Sequence, residues 1–320
     1  MGTSAQNGGG SGGSVYITTG TITSNGGAPI INADGGGSNY GSGGGGGRIA
    51  IILTGAGADF SDFVTNAAIT AYGGVYAGTG GSGAAGTIYM ETKAQTGGRG
   101  VVTIDNNNIS TELNVTTAIP SGQSWAVSSI TLSRRGTIGI PGGATLDLTA
   151  TTLTGDAVNY NGGINLAGGT LITPADFSYT NCFVRYRSAS TFTSPTSITV
   201  GDHAQFICDV PFTLNGNLIV NSGGTLTHDA NSTTEAYKLN LTILGDFTLA
   251  SGATIAVQGK GYAGGQGPGK GGYYGGSYGG VGGLGNYAGT PGPTYGSITA
   301  PVNIGSGSWA ASYGGGAVIL

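Results

Sequence analysis

The chain has 320 residues, of which 69 are glycine and 8% are charged, and its formal net charge is −4. Its ten Lys and Arg residues are scattered, which argues against nucleic-acid binding, and no run of 18 apolar residues predicts a membrane-spanning helix. A hydrophobic content of 38% with so little charge also separates the chain from intrinsically disordered proteins.

Over residues 1–100, glycine tracts alternate with short apolar segments. Residues 13–17, 47–51 and 86–90 each begin with glycine and continue with alternating β-branched or other apolar residues. The alternation predicts β-strands, and its recurrence at this spacing is typical of stacked repeat units. We expect the glycine tracts to pack as polyglycine-II-like helices, because backbones without Cβ atoms can approach closely. Flexible loops are the alternative.

Residues 101–258 contain a second repeat, in which a turn precedes a strand. It occurs at residues 143–146, 168–171, 223–226 and 252–255, with a degenerate copy at 202–206. This repetition predicts an all-β fold, a parallel β-helix in which each strand pairs with its equivalent in the next coil. One inward-facing stack is expected, made of Leu146, Leu171, Phe206, Leu226 and Ile255. An antiparallel β-sandwich is the alternative, but it does not require a repeated turn motif.

Residues 259–320 return to glycine, now interleaved with tyrosine. The rings predict a contact surface for sugars or proteins, because tyrosine is rigid and amphipathic. Alternatively, the rings cover the glycine segments. The residues concerned are Tyr262, Tyr273, Tyr274, Tyr278, Tyr287 and Tyr295. Composition thus divides the chain into three predicted domains, 1–100, 101–258 and 259–320.

Strand-like segments occur near both ends of the sequence, without the polar cap that normally covers the last coil of a solenoid. We expect them to pair with neighbouring copies of the chain. A contact between two different surfaces does not close on itself, so it predicts a head-to-tail homopolymer. The assembly residues are Val15, Tyr16 and Ile17 at one end and Val318, Ile319 and Leu320 at the other.

Three glycine-rich segments carry a resemblance to known proteins. Residues 9–17, 43–51 and 260–265 resemble the glycine-rich β-helical repeats of very large bacterial surface and secreted proteins, which are adhesin-like or filament-like. The resemblance extends over most of the chain. It implies a right-handed parallel β-helix and a structural or adhesive role outside the cell or at its surface.

Two cysteines are candidates for a disulfide. Cys182 and Cys208 are separated by about one coil, so equivalent positions on adjacent coils would bring their Cα atoms within bonding reach. Two buried thiols are the alternative.

Other candidate sites are weaker. Residues 264–270 have the glycine and lysine spacing of a phosphate-binding loop but lack the following Ser or Thr, so we treat the match as chance. Residues 105–108, with one aspartate and three asparagines, predict a turn or an amide ladder rather than a calcium loop. The His–Asp neighbours at 202–203 and 228–229 are expected to be solvated turn residues. The acids Asp176, Asp202 and Asp209 form no convincing catalytic group.

The sequence therefore predicts no catalytic, metal or cofactor-binding residues and a chain that is not an enzyme. The predicted function is that of an extracellular structural protein, a filament subunit or a segment of a giant surface fibre, with copies of itself as partners. A glycan- or receptor-binding adhesin or phage tip module is the alternative. A polysaccharide-degrading β-helix enzyme is the third hypothesis.

Overall fold

The computed structural model describes residues 7–78, 81–187, 190–193, 195–284, 290–309 and 312–320, without the side chain of Asn66. The chain forms two compact units. The first consists of Met1–Pro174, Tyr179–Phe183 and Ala189–Thr193, and the second of Ala175–Ser178, Val184–Ser188 and Ser194–Leu320. The compositional boundary near residue 100 lies inside the first unit.

The first unit holds the short helix α1 (Ser61–Asn66) and most of the earlier strands. These are β1 (Ser14–Thr19), β2 (Ile30–Asn32), β3 (Arg48–Leu53), β4 (Ala68–Thr70), β5 (Thr87–Thr92), β6 (Val101–Asp105), β7 (Thr117–Ala118), β8 (Ser124–Trp125), β9 (Ser129–Ser133), β10 (Thr137–Pro141), β11 (Thr145–Asp147), β12 (Thr152–Gly155), β13 (Gly163–Ala167), β14 (Thr170–Ile172) and β17 (Thr191–Phe192).

The second unit holds the remaining strands. These are β15 (Asp176–Tyr179) and β16 (Phe183–Tyr186), of which Tyr179 and Phe183 belong to the first unit, and β18 (Ser197–Val200), β19 (Gln205–Cys208), β20 (Phe212–Leu214), β21 (Asn217–Val220), β22 (Thr225–Thr227), β23 (Leu239–Ile243), β24 (Phe247–Leu249), β25 (Thr254–Ile255) and β26 (Val318–Ile319). The predicted all-β class is confirmed.

The three glycine-to-strand repeats of the first unit pair with one another. β1, β3 and β5 are parallel neighbours, and Ile17, Ile51 and Met90 occupy one position across the sheet. Alternate residues of β3 are buried, because one face of the strand meets solvent and the other meets the core. The core cluster consists of Ala33, Ile49, Ile51, Leu53, Phe63, Ala71 and Ile88.

One strand pair departs from the expected parallel arrangement. β5 and β6 are antiparallel, with Tyr89 opposite Val102, so the chain reverses its direction within the sheet. The turn between them is built for this reversal. Gly98 has a φ of +78°, which glycine adopts without steric cost, and its N–H donates to Glu91 Oε2 at 2.9 Å. The expectation of purely parallel neighbours is wrong at this point.

After the reversal, the strands of the first unit recur in rotation among three sheets. β9, β10 and β11 each pair in parallel with the third strand after them, β12, β13 and β14. Buried side chains meet their equivalents in the next set. Ile140 lies opposite Leu166 and Leu146 lies opposite Leu171, and all four are fully buried.

The second unit repeats this rotation by itself. β18, β19 and β20 pair in parallel with β21, β22 and β23, which pair in turn with β24, β25 and β26. Val200 lies opposite Val220, and Phe206 lies opposite Leu226. All four side chains are buried. Repeated in-register pairing therefore organises both units.

The expected single stack of five apolar residues is wrong. Leu146 and Leu171 share one sheet, whereas Phe206, Leu226 and Ile255 share another. The turn motif joins β10 to β11 and β13 to β14, but later it joins β18 to β19, β21 to β22 and β24 to β25. Each copy places one residue in the left-handed region, namely Gly143, Gly168, His203, Gly223 or Gly252. The motif thus encodes the geometry of a corner but not which corner it forms.

Candidate functional site

The two predicted assembly segments are edge strands. β1 lies at one edge of the six-stranded sheet of the first unit, and β26 lies at one edge of a three-stranded sheet of the second. Tyr16 is 72% exposed, Val318 and Ile319 are half-buried, and Leu320 is exposed. Because an edge strand presents unpaired backbone groups, both segments can accept another strand. Pairing with a second copy stays a prediction.

The glycine tracts of the first unit are ordered and bonded to one another. The N–H of Gly36 donates to the carbonyl of Gly10 at 2.7 Å, and Gly44 donates to Gly36 at 3.0 Å. The series continues from Gly74 to Gly44 at 2.7 Å and from Gly83 to Gly74 at 2.9 Å. The hydrogen bonds therefore join separate glycine segments to one another.

Close packing explains why glycine is required in these tracts. A Cβ atom on Gly44 would overlap the carbonyl oxygen of Gly10, and one on Gly74 would overlap that of Gly36. The neighbouring Gly45 differs, because the nearest atom to its Cβ would be the Ala84 oxygen at 3.9 Å. Glycine is thus a packing requirement at some positions of a tract and not at others. We call Gly10, Gly36, Gly44, Gly74 and Gly83 the glycine layer.

The predicted turn at residues 105–108 is confirmed, and it holds the glycine layer. The buried side chain of Asn106 accepts from Gly73 N–H at 2.9 Å and donates to the Gly83 carbonyl at 3.2 Å. Asp105 beside it binds Arg134, whose Nε lies 3.0 Å from Asp105 Oδ1. Asn107 and Asn108 adopt left-handed φ values of 48° and 59°. Asn106 therefore satisfies backbone groups that the layer would otherwise leave without partners.

Several of the predicted contact tyrosines pack inward. Tyr274 is buried, and Tyr295 donates to the Ile304 carbonyl at 2.5 Å and accepts from Ser306 Oγ at 2.9 Å. The Tyr278 ring meets the Tyr295 ring edge to face, with centroids 4.9 Å apart. The Tyr278 ring lies directly against the backbone of Gly296, which is the arrangement of the alternative interpretation.

One aromatic pair remains on the surface. Tyr273 is 57% exposed and stacks against Trp309, which is 53% exposed, with ring centroids 4.3 Å apart. Tyr262 is half-buried and its hydroxyl donates to Glu235 at 3.5 Å. Tyr287 lies outside the described residues. The predicted contact surface therefore reduces to the Tyr273–Trp309 pair.

Cys182 and Cys208 are both buried free thiols. Burial raises the pKa of each to about 12, so both stay protonated at neutral pH. A disulfide between them stays a prediction.

The candidate acids do not come together as one group. His203 Nδ1 lies 3.0 Å from Asp202 Oδ1 on an exposed turn, as expected for solvated turn residues, and Asp176 accepts from Ser197 Oγ at 2.7 Å. The same expectation is wrong for His228 and Asp229. His228 is fully buried, and Asp229 keeps only 18% of its side chain exposed.

His228 and Asp229 instead lie at a buried group of charges in the second unit. Asp229 N–H donates to Asp209 Oδ1 at 2.8 Å, Arg185 Nη2 lies 3.1 Å from Asp229 Oδ1, and Arg187 Nε lies 3.4 Å from Asp209 Oδ2. We call Arg185, Arg187, Asp209 and Asp229 the charge cluster. Asp209 is only 2% exposed, and neither its Oδ2 nor that of Asp229 has a hydrogen bond.

Burial controls protonation in this region. Desolvation raises the pKa of Asp209 to about 7, and the nearby charge of Asp229 adds to the rise, while the hydrogen bond from Asp229 N–H opposes it. Desolvation also lowers the pKa of His228, so its ring is neutral at pH 7. The His228 Nδ1 lies 2.8 Å from the Asp229 carbonyl, which assigns the proton to Nδ1.

The charge cluster offers no carboxyl oxygen that a ligand in the neighbouring depression could reach. A depression of about 200 Å³ beside it is lined by Asp209, Glu235 and Lys238, and Glu235 is paired with Lys238. Because Asp209 Oδ2 is inaccessible to water, this carboxyl does not reach a ligand in the depression. The cluster joins adjacent strands electrostatically. No local sequence signal marks it, since the partners come from segments about 20 residues apart.

Among the described residues, no three His, Cys, Asp or Glu side chains are grouped in a way that could hold a metal ion. The described part of the chain also has no helix of the length and apolar character needed to cross a membrane. The chain matches no protein-family model, no curated protein and no solved structure.

Proposed function

We propose that the chain is an extracellular structural protein, built as a right-handed parallel β-helix that assembles head to tail into filaments. The carrying observation is the rotation of strands among three sheets, in which β9 to β11 and β18 to β23 each pair in register with the third strand after them. In a β-helix, each coil of the chain adds one strand to each of three sheets. Long parallel sheets of this kind suit a mechanical role.

The proposal extends to the glycine layer, which we assign to a polyglycine-II-like bundle. The supporting observation is that its hydrogen bonds join separate segments, and that a Cβ atom on Gly44, Gly74 or Gly83 would overlap a neighbouring carbonyl oxygen. Polyproline-II-type chains have no internal hydrogen bonds, so they depend on neighbours for them. A layer of this kind would stiffen the fibre beside the strand ladders.

Filament growth would use the open side of β1. The Gly13 carbonyl, just before β1, accepts from Arg48 N–H of β3, and the Thr19 carbonyl accepts from Thr54 N–H, just after β3. Odd-numbered residues of β1 therefore point their backbone groups toward β3. The even-numbered Ser14, Tyr16 and Thr18 point theirs toward the open edge. A strand such as β26 of the next copy would pair there through main-chain hydrogen bonds.

The test uses proline at Tyr16. Proline removes the Tyr16 N–H, which faces the open edge, and leaves the β1–β3 hydrogen bonds in place. We expect filaments of the unmodified chain in electron micrographs at high concentration, their loss in Tyr16→Pro, and their retention in Tyr16→Thr, which keeps the N–H. Isolated particles of the unmodified chain at every concentration would refute the proposal.

An adhesive role is a second candidate, and the exposed Tyr273–Trp309 pair is the observation that favours it. Exposed aromatic pairs provide rigid contact area at low entropic cost. A glycan array would test this role, with binding lost in Tyr273→Ala. No glycan bound by the unmodified chain would count against it.

A further inference from the structure

The first unit contains a cavity with a volume of about 390 Å³. It lies against β3, β5, β6 and β8, beside the turn that reverses the chain between β5 and β6. Its size falls in the range of small-molecule sites, which are mostly apolar with a few placed polar groups. The reversal of the chain thus creates a concave surface that regular stacking of strands would not.

Two aromatic rings and one cation give the cavity its chemistry. Trp125 and Tyr89 line it together with the apolar Ala50 and Val102. The Arg48 guanidinium lies 6.0 Å from the centre of the Trp125 ring. Among the described residues Arg48 forms no ion pair, and it is exposed. The cavity therefore offers a cation whose charge is available to a ligand.

The Tyr89 ring is held in place. Its hydroxyl donates to Glu91 and accepts from Gly100 N–H at 2.9 Å. Burial, with a further effect from Glu91, raises the pKa of Tyr89 to about 12, so the ring is neutral at all ordinary pH values. The Glu91 carboxylate is engaged by Tyr89 and by Gly98 N–H.

A second depression of about 180 Å³ adjoins the first and shares Arg48 and Thr87 with it. It is lined by residues 45–48, 84–87 and 116–118. Several backbone groups there are already paired, since Gly46 N–H donates to the Ala84 carbonyl at 2.9 Å and Thr117 Oγ1 donates to the Ala85 carbonyl at 2.7 Å. We call the two depressions, which meet at Arg48, the groove, and its aromatic rings lie in the first of them.

From this arrangement we infer that the groove binds a short acidic oligosaccharide, with one sugar ring against Trp125 and its carboxylate on Arg48. A pyranose has an apolar face that fits an aromatic ring. Arginine binds carboxylates through two parallel hydrogen bonds. The elongated groove favours a chain of two or three sugars over a single small acid. This inference does not rest on filament formation.

The test takes advantage of the tryptophan content. The chain has two tryptophans, so Trp309→Phe leaves Trp125 as the single tryptophan reporter. We expect tri-galacturonate to change its fluorescence saturably, and the fully methyl-esterified trisaccharide, which lacks the charge, to bind at least fivefold more weakly. In the same background, Arg48→Gln is expected to lower the affinity for tri-galacturonate at least fivefold.

The matched control is Arg135→Gln, which removes the same charge from a side chain that contacts Ser110 and not the groove. It is expected to leave the affinity unchanged. Circular dichroism and thermal unfolding confirm that each variant is folded, and Trp125→Phe provides a second groove variant. No saturable change with tri-galacturonate, equal binding of the ester, equal effects of the two arginine substitutions, or tighter binding of benzoate would each overturn the inference.

Discussion

The first unit stacks its chain in two different ways. In the glycine layer, backbones touch directly, and a Cβ atom on Gly44 would overlap a neighbouring carbonyl. In the strands β9 to β14, contact is made by buried branched side chains such as Leu146 and Leu171. The first arrangement fails when an atom is added and the second when atoms are removed. The two arrangements therefore have opposite packing requirements.

The largest effect is expected from one added methyl group in the glycine layer. Gly44→Ala should lower the free energy of unfolding by about 4 kcal/mol, above the usual range for overpacking, because a backbone oxygen cannot rotate away. The matched control is Gly45→Ala, where space exists, with an expected change within about 1 kcal/mol. Denaturant unfolding measures both. Equal effects of the two substitutions would contradict the packing described for the layer.

Removing atoms should break the side-chain stack. Leu171→Ala is expected to cost about 3 kcal/mol of unfolding free energy, because Leu171 is fully buried opposite Leu146 and Phe192. Leu171→Met keeps the volume and should cost less than about 1.5 kcal/mol. Thermal and denaturant unfolding provide the values. A cost for Leu171→Ala no larger than that of Leu171→Met would show that the stack is not tightly packed.

Double substitutions sharpen the assignment of residues to stacks. Leu146→Ala and Leu171→Ala should be non-additive, because the two side chains are in adjacent positions of one sheet. Leu171→Ala and Leu226→Ala should add within about 0.5 kcal/mol, because they lie in different sheets of different units. Coupling between Leu171 and Leu226 as strong as that between Leu146 and Leu171 would instead support the single stack expected from the sequence.

The charge cluster links neighbouring strands through polar contacts. Its expected effect on the free energy of unfolding is smaller than those above and depends on pH. The pKa of Asp209 is about 7 in the folded chain, against about 4 when unfolded, so the folded state binds the proton more tightly. Stability from Asp209 is therefore largest at low pH and is lost as the pH rises from 4 to 7. Between pH 5 and 8, the stability of the unmodified chain should fall relative to Asp209→Asn by about 2.5 kcal/mol.

Comparing the two proteins at each pH isolates Asp209. The lowered pKa of His228 acts in the opposite direction, since a buried neutral histidine loses stability as the pH falls, but it is common to both proteins. A difference in unfolding free energy that is independent of pH would mean that Asp209 is ionised like an exposed carboxyl.

Much of the fold could be predicted from the sequence, because local patterns encode local structure. The alternation at residues 13–17, 47–51 and 86–90 identifies strands that do pair in register. Corner glycines such as Gly143 and Gly223 identify turns, and both have a φ of +80°. Glycine tracts without side chains predicted close backbone packing.

The predictions that were wrong are those that depend on the number of residues between successive corners of the chain. The repeat spacings vary from 20 to 35 residues, so counting does not reveal that Phe206 belongs with Leu226 and not with Leu171. For the same reason Asp209 and Asp229 give no sign that they meet. The reversal at Gly98 was also missed, because a left-handed glycine in a glycine-rich chain is not distinctive. The groove at Arg48 lies beside that reversal, so it could not be predicted from the sequence either.

Amide hydrogen exchange of the glycine layer is the most direct test of the account. The amides of Gly36, Gly44, Gly74 and Gly83 each donate to another segment, so we predict exchange at least about 100-fold slower than in an unstructured chain. Protection should disappear from all four together in Gly44→Ala. Exchange of these amides at unstructured rates, while those of Ile49 and Ile51 remain protected, would contradict the account.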